Sequence, residues 1–78
     1  MKIKYFALTY RIDHPDGDTE ADSILYPDAD KPRADLAFLL RSARRDGNPI
    51  EVSRGRDDLP PAYTIDYGDR VATWMLSN

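Results

Sequence analysis

One segment of this chain has the period of a helix, and everything around it has the period of a strand. Leu36, Leu39, Leu40 and Ala43 fall at i, i+3, i+4 and i+7, a single apolar stripe. The segment is also punctuated at both ends. Asp28 or Asp30 can cap it and Pro32 fits its first turn, where the missing N–H costs nothing. Arg41, Arg44 and Arg45 stand near its end, where cations are favoured, and Gly47 followed by Asn48-Pro49 stops it. The pattern predicts one helix over about residues 32–46.

The flanks alternate. Phe6, Leu8, Tyr10 and Ile12 share one side of residues 3–12, opposed by Ala7, Thr9 and Arg11. The run Asp13-His14-Pro15-Asp16-Gly17-Asp18 is dense in turn formers, and residues 20–26 resume as a second strand. Beyond the helix, residues 49–53 read as a short strand and Arg54 to Pro61 as a loop with a Pro60-Pro61 pair. The C-terminal segment predicts its own register. A two-residue Gly68-Asp69 turn sets Tyr67 opposite Arg70, Ile65 opposite Ala72 and Tyr63 opposite Trp74. One face then collects Tyr63, Ile65, Tyr67, Ala72, Trp74 and Leu76, and the other carries Thr64, Asp66 and Thr73. The expected fold is α+β with two layers, in the order β-β-α-β-β-β. An antiparallel sheet of five strands has one amphipathic helix packed on one face. With 78 residues, no linker and no internal repeat, residues 1–78 are read as a single domain.

Composition removes whole classes of chemistry. There is no cysteine, so disulfides, thiolate catalysis and cysteine-ligated metals are excluded. The N-terminal stretch lacks the apolar length of a signal peptide or a membrane span, and a cytoplasmic location is expected, the host cytoplasm if the chain is phage-encoded. His14 is the one histidine. It stands in a turn among carboxylates with no second histidine or nucleophile motif, and Ser23, Ser42, Ser53 and Ser77 have no catalytic setting. An EF-hand loop starting at Asp16 would meet Ala21 and Pro27 where it needs glycine and glutamate. No enzyme, cofactor or metal site is expected.

Charge is sorted along the sequence. Net charge is −3, yet residues 13–30 hold Asp13, Asp16, Asp18, Glu20, Asp22, Asp28 and Asp30 with no lysine or arginine. Residues 31–56 reverse the balance, with seven cations against Asp35, Asp46 and Glu51. The acidic run, with Asp57 and Asp58 in support, predicts a carboxylate display suited to a protein partner that has a basic, nucleic-acid-binding groove. The bland alternative is solubility. The competing site is a basic patch of Arg41, Arg44, Arg45, Arg54 and Arg56, which could take phosphate directly, against the alternative of a salt-bridged helix face. Ile3, Tyr5, Val71 and Met75 form a third expected surface, an apolar patch on an open sheet face fit for a partner or a second copy of the chain.

The stretch Leu36 to Gly55, about a quarter of the chain, resembles the helix–Gly–strand segment of Phd/YefM-type antitoxins. That likeness implies a nucleic-acid-binding regulator using the arginines, although two strands precede the helix and a hairpin follows. A small, acidic, cysteine-free α+β domain is also similar in type to phage inhibitors of host defence complexes, anti-CRISPR proteins among them. This likeness implies a non-enzymatic binding protein that occupies a partner's surface.

Overall fold

The computed structural model describes residues 6–54 and 61–77. The elements follow the predicted order: β1 (Phe6–Asp13), β2 (Thr19–Tyr26), α1 (Asp30–Arg45), β3 (Ile50–Ser53), β4 (Ala62–Asp66) and β5 (Val71–Ser77). The strands form one antiparallel sheet in the order β2-β1-β5-β4-β3. The helix covers one face of it, making the two-layer α+β fold that the periodicities imply.

Helix α1 starts two residues earlier than its apolar stripe suggests, and the cause is Asp28. Its Oδ1 accepts from the backbone N–H of both Asp30 and Lys31, at 3.1 and 3.0 Å, so the first turn is satisfied from upstream. At the other end Gly47 takes φ +79°. Its N–H donates to the Arg44 carbonyl, and the Asn48 N–H reaches back to Ala43 at 2.8 Å, the two bonds of a Schellman stop.

The C-terminal hairpin has the register its turn dictates: Tyr63 pairs with Trp74 and Ile65 with Ala72. The Tyr67 N–H donates to the Arg70 carbonyl at 2.9 Å, and of the two turn residues only Gly68 has positive φ, as a type II′ turn requires. The first hairpin closes differently. His14 N–H donates to the Asp18 carbonyl and Gly17 N–H to the His14 carbonyl, leaving a three-residue loop, Pro15 to Gly17. Asp13 therefore belongs to β1 and not to the turn.

The core sits where the helix stripe meets the sheet. Leu8, Tyr26 and Leu36 are buried together, with Leu39, Leu40, Tyr63, Trp74 and Leu76 packed against them. Ile65 and Ala72 are buried in the adjoining part of the sheet, and Ala43 on the helix. Helix α1 packs on β1, β3 and β5. It meets β2 at Tyr26, and the other seven of that strand's eight residues are exposed.

The other face of the sheet has no second layer among the described residues. Val71 and Met75 lie on it as expected, but it is more polar than the expected apolar patch. Thr9 Oγ1 meets Ser23 Oγ at 3.0 Å, and Thr64 Oγ1 meets Thr73 Oγ1 at 3.4 Å. Ile3 and Tyr5 lie outside the described residues. No described helix is long and apolar enough to cross a membrane.

Candidate functional site

Strand alternation decides what becomes of the acidic run. Residues of β2 with even numbers share the helix-side face, because Tyr26 is buried there and Ile24 and Tyr26 stand opposite Leu8 and Phe6. Glu20 and Asp22 therefore lie on the same side as the helix, opposite Ile12 and Tyr10, and both are exposed. Asp16 and Asp18 are exposed in the turn just before them. These four carboxylates stand at the free end of the β1–β2 hairpin, two in the turn and two on the helix-side face of β2.

The remaining three acidic residues of the run do not join them, which corrects the expectation of a single acidic surface over residues 13–30. Asp13 is on the opposite sheet face, where its Oδ1 accepts from Arg11 Nε at 3.0 Å and from the Thr19 hydroxyl at 3.2 Å. Asp28 and Asp30 lie beyond the other end of β2. The eight residues of that strand put about 26 Å between the two ends, at roughly 3.3 Å per residue. Asp28 is occupied in capping the helix, and Asp30 sits in its first turn, where negative charge is favoured. Asp57 and Asp58 lie outside the described residues.

The hairpin end is held by its own polar contacts. Asp16 Oδ1 accepts from the Asp18 N–H at 3.0 Å, and His14 Nε2 lies 3.2 Å from Glu20 Oε2. Asp22 Oδ1 accepts from the Ser23 N–H at 2.8 Å. Below this end Tyr10 packs tilted against Trp74 across the β1–β5 pair, ring centroids 5.1 Å apart.

The basic patch is divided too. Arg41, Arg44 and Arg45 are exposed in the last turns of α1, with Arg45 Nε 3.9 Å from Asp46 Oδ1. Arg54 follows the last residue of β3, so the strand carries it away from the helix C-terminus instead of beside it. Arg56 lies outside the described residues.

A feature the sequence reading missed is an apolar groove of about 230 Å³ between α1 and the edge of the sheet. It is lined by Leu8, Ile24, Tyr26, Phe38, Leu39 and Trp74. Ile24 is 41% exposed and Phe38 62% exposed, both large apolar side chains open to solvent. At the groove the Tyr26 hydroxyl donates to Asp35 Oδ2 at 2.8 Å. That bond, followed by burial and then by the Asp35 charge, raises the Tyr26 phenol above the usual tyrosine value of 10.0. One sequence signal was present: Phe38 is a large aromatic off the Leu36–Ala43 stripe. The pairing of Tyr26 with Asp35 has no local signature, since it depends on where the helix lands.

Comparison with protein-family models, with curated proteins and with solved structures returns no match. Among the described residues no group of three histidine or carboxylate side chains is arranged to hold a metal ion.

Proposed function

We propose that this protein is a non-enzymatic binding protein that occupies a basic surface of a partner protein, in the manner of an inhibitor of a nucleic-acid-handling complex. The observation that carries the reading is the group formed by Asp16, Asp18, Glu20 and Asp22. These four exposed carboxylates are displayed at the free end of a hairpin whose backbone and side chains are already hydrogen-bonded. A groove built for the phosphate backbone recognises closely spaced negative charge, and a pre-ordered display meets it with little further loss of entropy. Association of this kind is fast and salt-dependent, because long-range attraction steers the encounter.

The test is capture from a bacterial lysate on immobilised protein at low salt. The reading expects a partner that is retained at about 50 mM salt, elutes as salt rises, and is displaced by duplex DNA. The triple variant Asp16→Lys, Asp18→Lys, Glu20→Lys should lose it. Capture unaltered by the triple variant removes the hairpin as the contact. The second reading, a nucleic-acid-binding regulator, is favoured by the three exposed arginines at the end of α1. It expects duplex DNA to be shifted at low salt, and Arg41→Ala with Arg44→Ala to abolish the shift.

A further inference from the structure

We infer that the free edge of β2 is a docking edge for an extended basic segment of a partner protein, which adds to the sheet as a sixth strand beside β2. The inference rests on the basic partner of the preceding section and names the way that partner is held.

The first observation is the edge itself. Among the described residues β2 is an outermost strand, and its eight residues pair with β1 without a bulge or a proline. Two hydrogen bonds fix which backbone groups face outward. His14 and Asp18 are a hydrogen-bonded pair, since the His14 N–H reaches the Asp18 carbonyl. Hydrogen-bonded and non-hydrogen-bonded pairs alternate along an antiparallel ladder, so the even-numbered residues of β2 bond to β1. The N–H and C=O groups of Thr19, Ala21, Ser23 and Leu25 must then point away from it. Ser23 confirms the assignment, because its N–H is taken by the neighbouring Asp22 carboxylate at 2.8 Å and not by β1.

The second observation is the groove, which runs next to that edge. α1 meets β2 at Tyr26 and leaves the other seven residues exposed, so an added strand has room on the helix side, and its side chains would cover the exposed faces of Ile24 and Phe38. The third is charge. Glu20, Asp22 and Ile24 occupy successive positions on the helix-side face of β2. The complementary strand carries a cation opposite each of the first two and an apolar side chain opposite the third.

These features select against a second copy of the chain as the occupant. Antiparallel self-pairing centred on Asp22 sets that residue against Asp22 or Glu20 of the other copy, directly or diagonally, and like charges so placed repel. Asp22 also acts as a latch. While its carboxylate holds the Ser23 N–H, that donor is closed to an arriving strand. A lysine or arginine opposite Asp22 draws the carboxylate to itself and frees the N–H for the incoming carbonyl.

The probe is a fluorescent peptide of sequence Val-Thr-Leu-Thr-Lys-Thr-Lys, which in antiparallel register sets its leucine against Ile24 and its lysines against Asp22 and Glu20. Amide hydrogen exchange of the isotope-labelled protein is followed by NMR at about 50 mM salt, where charge pairing is least screened. Saturating peptide should slow exchange at Ala21, Ser23 and Leu25 and leave the other strands unchanged. A peptide with glutamates in place of the lysines should bind at least about tenfold more weakly, a difference of about 1.4 kcal/mol. The Ala21→Pro variant removes an outward donor without touching the β1 pairing and should abolish binding. A peptide N-methylated on its β2-facing edge tests the same bonds on the unaltered protein, so a folding defect in the proline variant cannot decide the matter.

Absence of protection at those three amides overturns the inference, as does equal binding of the N-methylated or glutamate peptide. A concentration-dependent dimer that Ala21→Pro dissociates also overturns it, in favour of self-pairing. Lysate capture that needs the carboxylates but survives Ala21→Pro removes the docking edge and leaves the electrostatic reading standing. Loss of capture in both variants supports the two together.

Discussion

β2 and β4 each form an antiparallel hairpin with a neighbouring strand, β1 and β5, yet their surroundings differ completely. β4 is flanked by β3 and β5 and buries Ile65 fully, whereas β2 has one neighbour and buries only Tyr26. Sheet order accounts for the difference, because β4 lies inside the sheet and β2 at its edge, where the helix meets it at the Tyr26–Asp35 hydrogen bond. Packing is therefore concentrated under the helix, reaching β2 at Tyr26, and exposed charge at the free end of the β1–β2 hairpin. A chain of this size has only a few kcal/mol of net stability, so it can afford little polar burial, and among the described residues no polar or charged side chain is fully buried.

The sharpest way to break this contrast is to cut into the packed region. Ile65→Ala should cost about 2–5 kcal/mol, measured by urea denaturation, and can unfold the domain outright. A loss below about 1 kcal/mol would mean that Ile65 is not at the centre of the core. Tyr26→Phe probes the boundary between the two and should cost about 1.5 kcal/mol, since it deletes a hydrogen bond to a carboxylate. It should also change the alkaline response. The raised phenol value means that the folded state holds this proton more tightly than the unfolded chain does. The contribution is complete below about pH 10 and is lost as pH rises through the raised value. Thermal melts between pH 8 and 12 should show a decline that is shallower in Tyr26→Phe, and parallel curves would remove the linkage. Gly47→Ala places a Cβ on a residue at φ +79° and should cost about 1 kcal/mol, read by the same denaturation. Least affected should be the hairpin end. Asp16→Lys, Asp18→Lys and Glu20→Lys together remove the exposed Asp16 and Glu20 contacts and should cost less than about 1 kcal/mol while abolishing partner capture, which separates recognition from folding.

Much of the architecture was legible because its signals are local. The Leu36–Ala43 stripe and Gly47 specify a helix and its end within sixteen residues, and the Gly68-Asp69 turn fixes a register before any distant contact is considered. Helix placement was less legible at its start, where the range of the Asp28 carboxylate, and not the stripe, sets the first turn. The candidate site was legible only as composition. Seven carboxylates in eighteen residues mark an acidic segment. That Asp13 turns away to Arg11 while Glu20 and Asp22 share the helix side follows from a pairing register, and neighbours along the chain do not reveal it.

By itself, then, the chain determined its elements, their order, the C-terminal register and the absence of thiol chemistry, because each depends on residues a few positions apart. Tertiary structure alone decided the strand order and where the helix lands, and with them which strands lie at the edges, which carboxylates share a face and where Ile24 and Phe38 frame a groove. Those outcomes depend on contacts between residues far apart in sequence, where a helix can satisfy its apolar stripe on several parts of a sheet and only the packing of the whole selects one.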